Sequence, residues 1–180
     1  MKPLFASKIE QLLIVPFGSI QREVLDFLQG ELARRFSFNV KVTGAEPIPQ
    51  YAFNPKRNQY HSTKILERLK GQRIKDEQIL GIVDCDLYVP ELNFVFGEAD
   101  IGGKACVISL VRLRQEYYGL PKNDNLFLLR TLKEAIHEIG HLYRLGHCAD
   151  PKCIMHFSNS LRDTDIKGPD FCDRCKLKLR

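Results

Sequence analysis

Two clusters of metal-ligand residues that meet at a single peptide bond constrain this chain more than any other feature. The stretch HEIGHLYRLGHCADPKCIM runs from His137 to Met155. On an α-helix residues four apart share a face, so His137 and His141 can present two imidazoles to one metal ion, with Glu138 beside them. In this HExxH arrangement the glutamate serves as general base on a zinc-bound water. On an unbroken helix His147 would stand roughly 80° round from His137 and too far along the axis, so it becomes a ligand only if the chain turns sharply after His141. Gly146 offers a turning residue there. Three neutral imidazoles leave the fourth position of a tetrahedral zinc open for water, which is the catalytic pattern. Taken alone, the HExxH letters also fit a solvated helix face, and Met155 a core filler. Taken together, they place Met155 as a polarisable apolar floor beneath the metal.

The second cluster begins at the next residue. Cys148 and Cys153, with the CxxC pair Cys172 and Cys175, suit a closed tetrahedral zinc site of structural role. Two disulfides or idle buried thiols are the alternatives, and a cytoplasmic chain disfavours disulfides. The segment between the halves, SNSLRDTDIKGPD, is polar and has little means of burying itself, so a metal clip would fold it by binding energy. Cys85 and Cys106 lie in apolar strands and read as buried small hydrophobes. His61 reads as a surface residue at the start of a helix, and His156 as a bystander.

Composition narrows the class. A chain of 180 residues, 44% hydrophobic and 27% charged, fits one soluble globular domain. Lys+Arg 27 against Asp+Glu 22 gives +5, dispersed along the chain, which does not argue for nucleic acid. No run approaches the roughly 18 apolar residues of a membrane span. Lys8 and Glu10 interrupt the apolar N-terminus, which reads as leading into a first strand and not as a signal peptide. A cytoplasmic monomer is the expectation.

Along the chain, Leu12 to Phe17 is a continuous apolar run of the kind buried on both faces, ended by Gly18. A helix carrying Ile20, Val24, Phe27, Leu28 and Leu32 follows, then a strand over Phe38 to Val42, which makes a βαβ unit. Residues 44–60 read as a long exposed connection and His61 to Leu69 as a helix. Strands are expected over Leu80 to Val89, Leu92 to Phe96 and Ala105 to Leu113. A helix from about Leu126 to Tyr143 has a core stripe of Leu129, Leu132, Ile136, Ile139 and Tyr143. Its polar stripe comprises Arg130, Glu134, His137, His141 and Arg144.

HExxH with a third histidine and a downstream methionine turn is the metzincin signature. With a cysteine directly after that histidine (His147-Cys148), then Cys153-Ile154-Met155 and the distal CxxC, the chain resembles the archaemetzincins (archaelysins) over nearly its whole length. The resemblance implies an α/β fold (α+β by some schemes). Its twisted mixed sheet would be mostly parallel with an antiparallel edge strand, standing above an active-site helix and a small zinc-stapled C-terminal subdomain. The division would fall between residues 1–147 and 148–180. Function would be zinc-dependent peptide hydrolysis with Glu138 as general base, endo- or aminopeptidase, using two zincs per chain, one catalytic and one structural. Peptide substrate would pair with the edge strand at about Leu92 to Phe96. The family motif has glycine where this chain has Arg144. Either Arg144 adopts the left-handed backbone itself, at about 1–2 kcal/mol, or Gly146 takes over and the turn is reshaped. Arg144 would also project positive charge near the cleft and favour acidic substrate groups. The competing reading is a non-catalytic zinc protein that contacts nucleic acid or a protein partner through the four-cysteine module and the basic tail, Lys176 to Arg180.

Overall fold

The computed structural model describes residues 11–71 and 77–179, so the reading of the N-terminal residues up to Glu10 and the end of the basic tail, Arg180, lie outside the described residues. In chain order the elements are β1 (Gln11–Phe17), α1 (Arg22–Phe36), β2 (Asn39–Val42), β3 (Phe53–Asn54), β4 (Gln59–His61), α2 (Ser62–Gly71), β5 (Glu77–Val83), β6 (Leu87–Tyr88), β7 (Gly97–Ala99) and β8 (Ala105–Ser109). Three helices follow: α3 (Asp124–Leu142), α4 (Leu161–Ile166) and α5 (Asp173–Lys178).

The main sheet has the order β2-β1-β5-β8-β7. All neighbours are parallel except β7, which runs antiparallel to β8 with Glu98 opposite Val107. This is the mixed α/β sheet with an antiparallel edge strand that the resemblance implies. The continuous apolar run of β1 is explained by its position between two layers. Leu12 and Ile14 join a core with α1 and α3, while Val15 and Phe17 join the core under α2. The larger core does not stop at residue 147: Cys153, Ile154, Met155, Phe171 and Cys175 belong to it. Among the described residues, no helix is long and apolar enough to cross a membrane.

Four expectations are corrected. Residues 44–60 are not a plain exposed connection, because β3 and β4 form a hairpin whose Phe53 and Tyr60 rings stand 5.0 Å apart, joined in parallel to β6. The strand expected over Leu80 to Val89 splits between the two sheets. Asp84 and Asp86 interrupt it, each gripped by an arginine: Arg114 Nη1 at 2.6 Å from Asp84 and Arg112 Nε at 2.6 Å from Asp86. Leu92 to Phe96 is not the edge strand, which begins at Gly97. The apolar letters there serve side-chain packing instead, with the Phe94 and Phe96 rings 5.1 Å apart and Arg112 over Phe94. The polar segment before Cys172 does bury itself: Thr164 and Lys167 are 0% and 1% exposed. Partners on α3 make that possible. Arg130 holds Asp165 through both guanidinium arms at 2.7 Å, and Lys133 caps the Thr164 and Asp165 carbonyls.

Candidate active site

Asn123 starts α3 by accepting a hydrogen bond from the Leu126 amide at 3.0 Å, and the helix carries His137, Glu138 and His141 into the interior. All three are buried. His137 Nδ1 lies 2.7 Å from the Ile154 carbonyl and His141 Nδ1 lies 2.6 Å from the Leu145 carbonyl. A ring nitrogen against a carbonyl oxygen carries the proton, so both Nε2 atoms are left as lone-pair donors. They stand 3.2 Å apart. Tetrahedral zinc with bonds of about 2.0–2.1 Å spaces its nitrogens by about 3.3 Å, which fits. Burial holds His137 well below the usual imidazole range, and it lowers His141 and His147 too, so neutral donors are favoured.

The sharp turn after His141 falls on Arg144, whose φ is 62°; Gly146 is not left-handed. The turn is closed by Arg144 N–H to the His141 carbonyl at 2.9 Å and Leu145 N–H to the Gly140 carbonyl at 3.2 Å. Gly102 N–H reaches the His141 carbonyl from outside the helix at 3.0 Å. The arginine side chain lies over Gly102, where an added Cβ would meet its Cγ, Nε and Cζ at 3.0 Å. These contacts offset the left-handed strain and deliver His147 to the other two, with ring centroids 5.4 Å from His137 and 5.0 Å from His141. One nitrogen from each of the three rings lies within 4.8 Å of the others. Met155, fully buried, presses against Gly140 between the two helical histidines, where a Cβ would collide with its sulfur.

The four cysteines also converge. Cys148 and Cys172 have sulfurs 3.8 Å apart, and Cys153 and Cys175 3.7 Å, as free thiols rather than disulfides. Zn–S bonds of about 2.3 Å would space tetrahedral sulfurs by about 3.8 Å, so this donor set fits zinc as well. The Cys175 backbone amide draws the Cys172 thiol down to about 7, which favours a thiolate. The two sites are tied together. Cys148 N–H donates to the Met155 carbonyl at 2.8 Å, and the His156 ring bonds the Cys148 carbonyl at 2.9 Å. His156 is thus a brace for the turn and not a bystander. Burial raises Cys85 to about 12 and pushes Cys106 well above the ordinary thiol range, as befits inert thiols.

Glu138 sits where α3 passes the edge strand. Gly97 makes that passage possible, since a Cβ there would stand 2.7 Å from Glu138 Oε1. Burial, helped by the charge of Glu134 and opposed by Lys167, raises the Glu138 carboxyl well above its ordinary range. Histidines, Glu138 and β7 line one cleft of about 540 Å³, walled by Phe157, Ser158 and Asn159. His61, expected on the surface at a helix start, ends β4 and lines the same cleft. Arg144 is not among the lining residues. Among the described residues the cleft carries Glu91, Glu98, Glu134 and Glu138 and no lysine or arginine, the opposite sign to that expected from Arg144. Glu134, read in the sequence only as part of the polar stripe, lies at the site by its place three residues before His137. Gly97, His61 and Lys167 reach the site only through tertiary packing.

Comparison with known proteins agrees with this geometry. The family profile described as Peptidase family M54 matches residues 21–180. A curated relative from Methanocaldococcus jannaschii, named Archaemetzincin, is 43% identical over 172 residues, covering 96% of this chain and 94% of its own. One of the same name from Pyrococcus horikoshii is 44% identical over 166 residues, 88% of each chain. Among solved structures, an archaemetzincin from Methanopyrus kandleri superposes with a TM-score of 0.83 at 35% identity, over 95% of this chain and 93% of that one. A structure from Methanocorpusculum labreanum described as a zinc-dependent peptidase has a TM-score of 0.79 at 30% identity, over 93% of this chain and 100% of that one.

Proposed function

The chain belongs to peptidase family M54, the archaemetzincin family of zinc metallopeptidases, and from that premise we propose that Glu138 is its general base and His137, His141 and His147 its catalytic zinc ligands. The observation that carries this reading is the pair of buried Nε2 atoms 3.2 Å apart on the helix face that also holds Glu138. When bound, zinc supplies a Lewis acid that polarises the scissile carbonyl and makes water acidic near neutral pH. Glu138 takes the proton from the attacking water and hands it to the leaving amine.

The substrate peptide lies extended along β7, which pairs with β8 on one side and borders the cleft on the other. Backbone hydrogen bonds to Gly97–Ala99 would add the peptide as a further strand. Residues 148–180 act as a C-terminal subdomain closing the cleft from below, held by a second, structural zinc on Cys148, Cys153, Cys172 and Cys175. Burial of Cys153 and Cys175 in the shared core supports a staple rather than a docking module for nucleic acid. Met155 packs beneath the histidines as an apolar floor.

Replacing Glu138 with Gln tests the assignment. Hydrolysis of a broad peptide library should be lost while zinc per chain stays the same. Retained hydrolysis would remove Glu138 from the mechanism, and a wild-type chain that cleaves nothing in the library would remove the peptidase reading.

A further inference from the structure

We propose that Glu134 is the floor of a substrate pocket and selects a cationic group, either a lysine or arginine side chain or a free amino terminus; this rests on the peptidase reading above. Glu134 stands three and four residues before His137 and Glu138, so it shares their face of α3. It is 2% exposed, yet it lines the cleft beside Ser158 and Asn159. Both protein groups that reach it act on one oxygen: Lys167 Nζ lies 2.9 Å from Oε1, and Thr164 Oγ1 donates to Oε1 at 3.2 Å. Among the described residues Oε2 has no hydrogen-bond partner.

The ion pair has a direction. Lys167 is fully buried behind the glutamate and takes no part in lining the cleft, and its contact falls short of hydrogen-bond geometry, so it acts as a charge. What the pair shows to the cleft is therefore a carboxylate oxygen alone. Oε2 is not among the buried unpartnered atoms, so it opens to the cleft, where a donor arriving with the substrate can meet it. Ser158 Oγ, in the same wall, is buried without a partner. Glu91 and Glu98 add charge of the same sign along the cleft, and among the described residues no lysine or arginine lines it to oppose them.

The test is calorimetric binding of matched peptides to the zinc-loaded Glu138→Gln chain. One set is blocked at both ends and carries lysine against norleucine at each position in turn. The other is a neutral peptide with a free against an acetylated amino terminus. We expect the cation to bind about 10-fold tighter or more in one of the two sets, which identifies its source. Adding Glu134→Gln, alone or with Lys167→Met so that no buried charge is stranded, should bring that ratio close to one. Equal binding within both sets would overturn the proposal, as would a ratio preserved in both added variants, which would assign selection to Glu91 or Glu98. If one added variant fails to fold, the unmodified ratio and the other variant still decide. Cleavage of neutral peptides by the wild type reports separately on the peptidase reading.

Discussion

Gly97 and Glu138 are separated by so little that a methyl group cannot come between them: a Cβ on Gly97 would stand 2.7 Å from Glu138 Oε1 and 2.8 Å from its Cγ. The Val107 carbonyl, 2.7 Å away on the neighbouring strand, blocks retreat. Gly97→Ala should therefore push the carboxylate off its position. We expect kcat to fall about 10- to 100-fold and stability by about 1–3 kcal/mol, with zinc content unchanged. Steady-state kinetics beside metal analysis would check this, and an unaffected kcat would refute it.

Arg144 holds a left-handed backbone that glycine adopts without strain. Arg144→Gly removes about 1–2 kcal/mol of strain but gives back about 0.4–1 kcal/mol through the freer unfolded chain, and it loses the packing on Gly102. The net expectation is a gain of at most about 1 kcal/mol, read as a higher denaturant midpoint. A clear loss would mean that the Gly102 contact outweighs the strain.

The buried Lys167–Glu134 pair joins the C-terminal segment to α3. Removing one partner strands the other, so Lys167→Met should cost about 3–5 kcal/mol. Adding Glu134→Gln should recover most of that loss. A double-mutant cycle by chemical denaturation measures the coupling, and additive losses would show that the pair does not couple.

Metal analysis separates the two proposed sites. The wild type should hold two zincs, falling to one in His137→Ala and to one in Cys175→Ser. The Cys148–Met155 bond predicts an asymmetry. Losing the cysteine site should also weaken the histidine site by about 10- to 100-fold, whereas losing the histidine site should leave the cysteine site intact. Equal, independent affinities would contradict the coupling.

In the metal-free chain, burial lowers the three histidines. The unfolded chain then binds protons that the folded one refuses. The stability these groups confer is complete above about pH 6.5 and is lost as pH falls below it. Glu138 works the other way. Burial raises its carboxyl, so its contribution favours the folded state at low pH and is lost as pH rises through the raised value. Metal-free Glu138→Gln should therefore lose stability more steeply than the wild type between about pH 6.5 and 5; equal slopes would refute the assignment.

The parts of the site set by local spacing were readable from letters. Residues His137, Glu138 and His141 follow from helical period, and the cysteines from their intervals. The parallel core was legible because β1 is apolar from Leu12 to Phe17 and β5 carries no polar side chain from Ile79 to Val83. The edge strand was misplaced because Leu92 to Phe96 looks more strand-like than Gly97–Ala99, although only the latter runs in register with β8, to which the former gives just the Phe96 carbonyl. Burial of Lys167 could not be read, since a lysine in a polar segment looks solvated until the glutamate it meets is known. The two readings of the turn at 144–146 were distinguishable only by the backbone angle at Arg144.

The Ile154 carbonyl that aims His137 belongs to a segment whose own amide is held by the Asp170 carbonyl, at 3.0 Å. Before residues 148–175 have docked, the first imidazole has nothing to fix its tautomer. A growing or partly unfolded chain would thus carry every catalytic letter and still be inert. The proposed centre is complete only once this segment has docked, so a hydrolytic enzyme would pose little danger to its own unfinished copies.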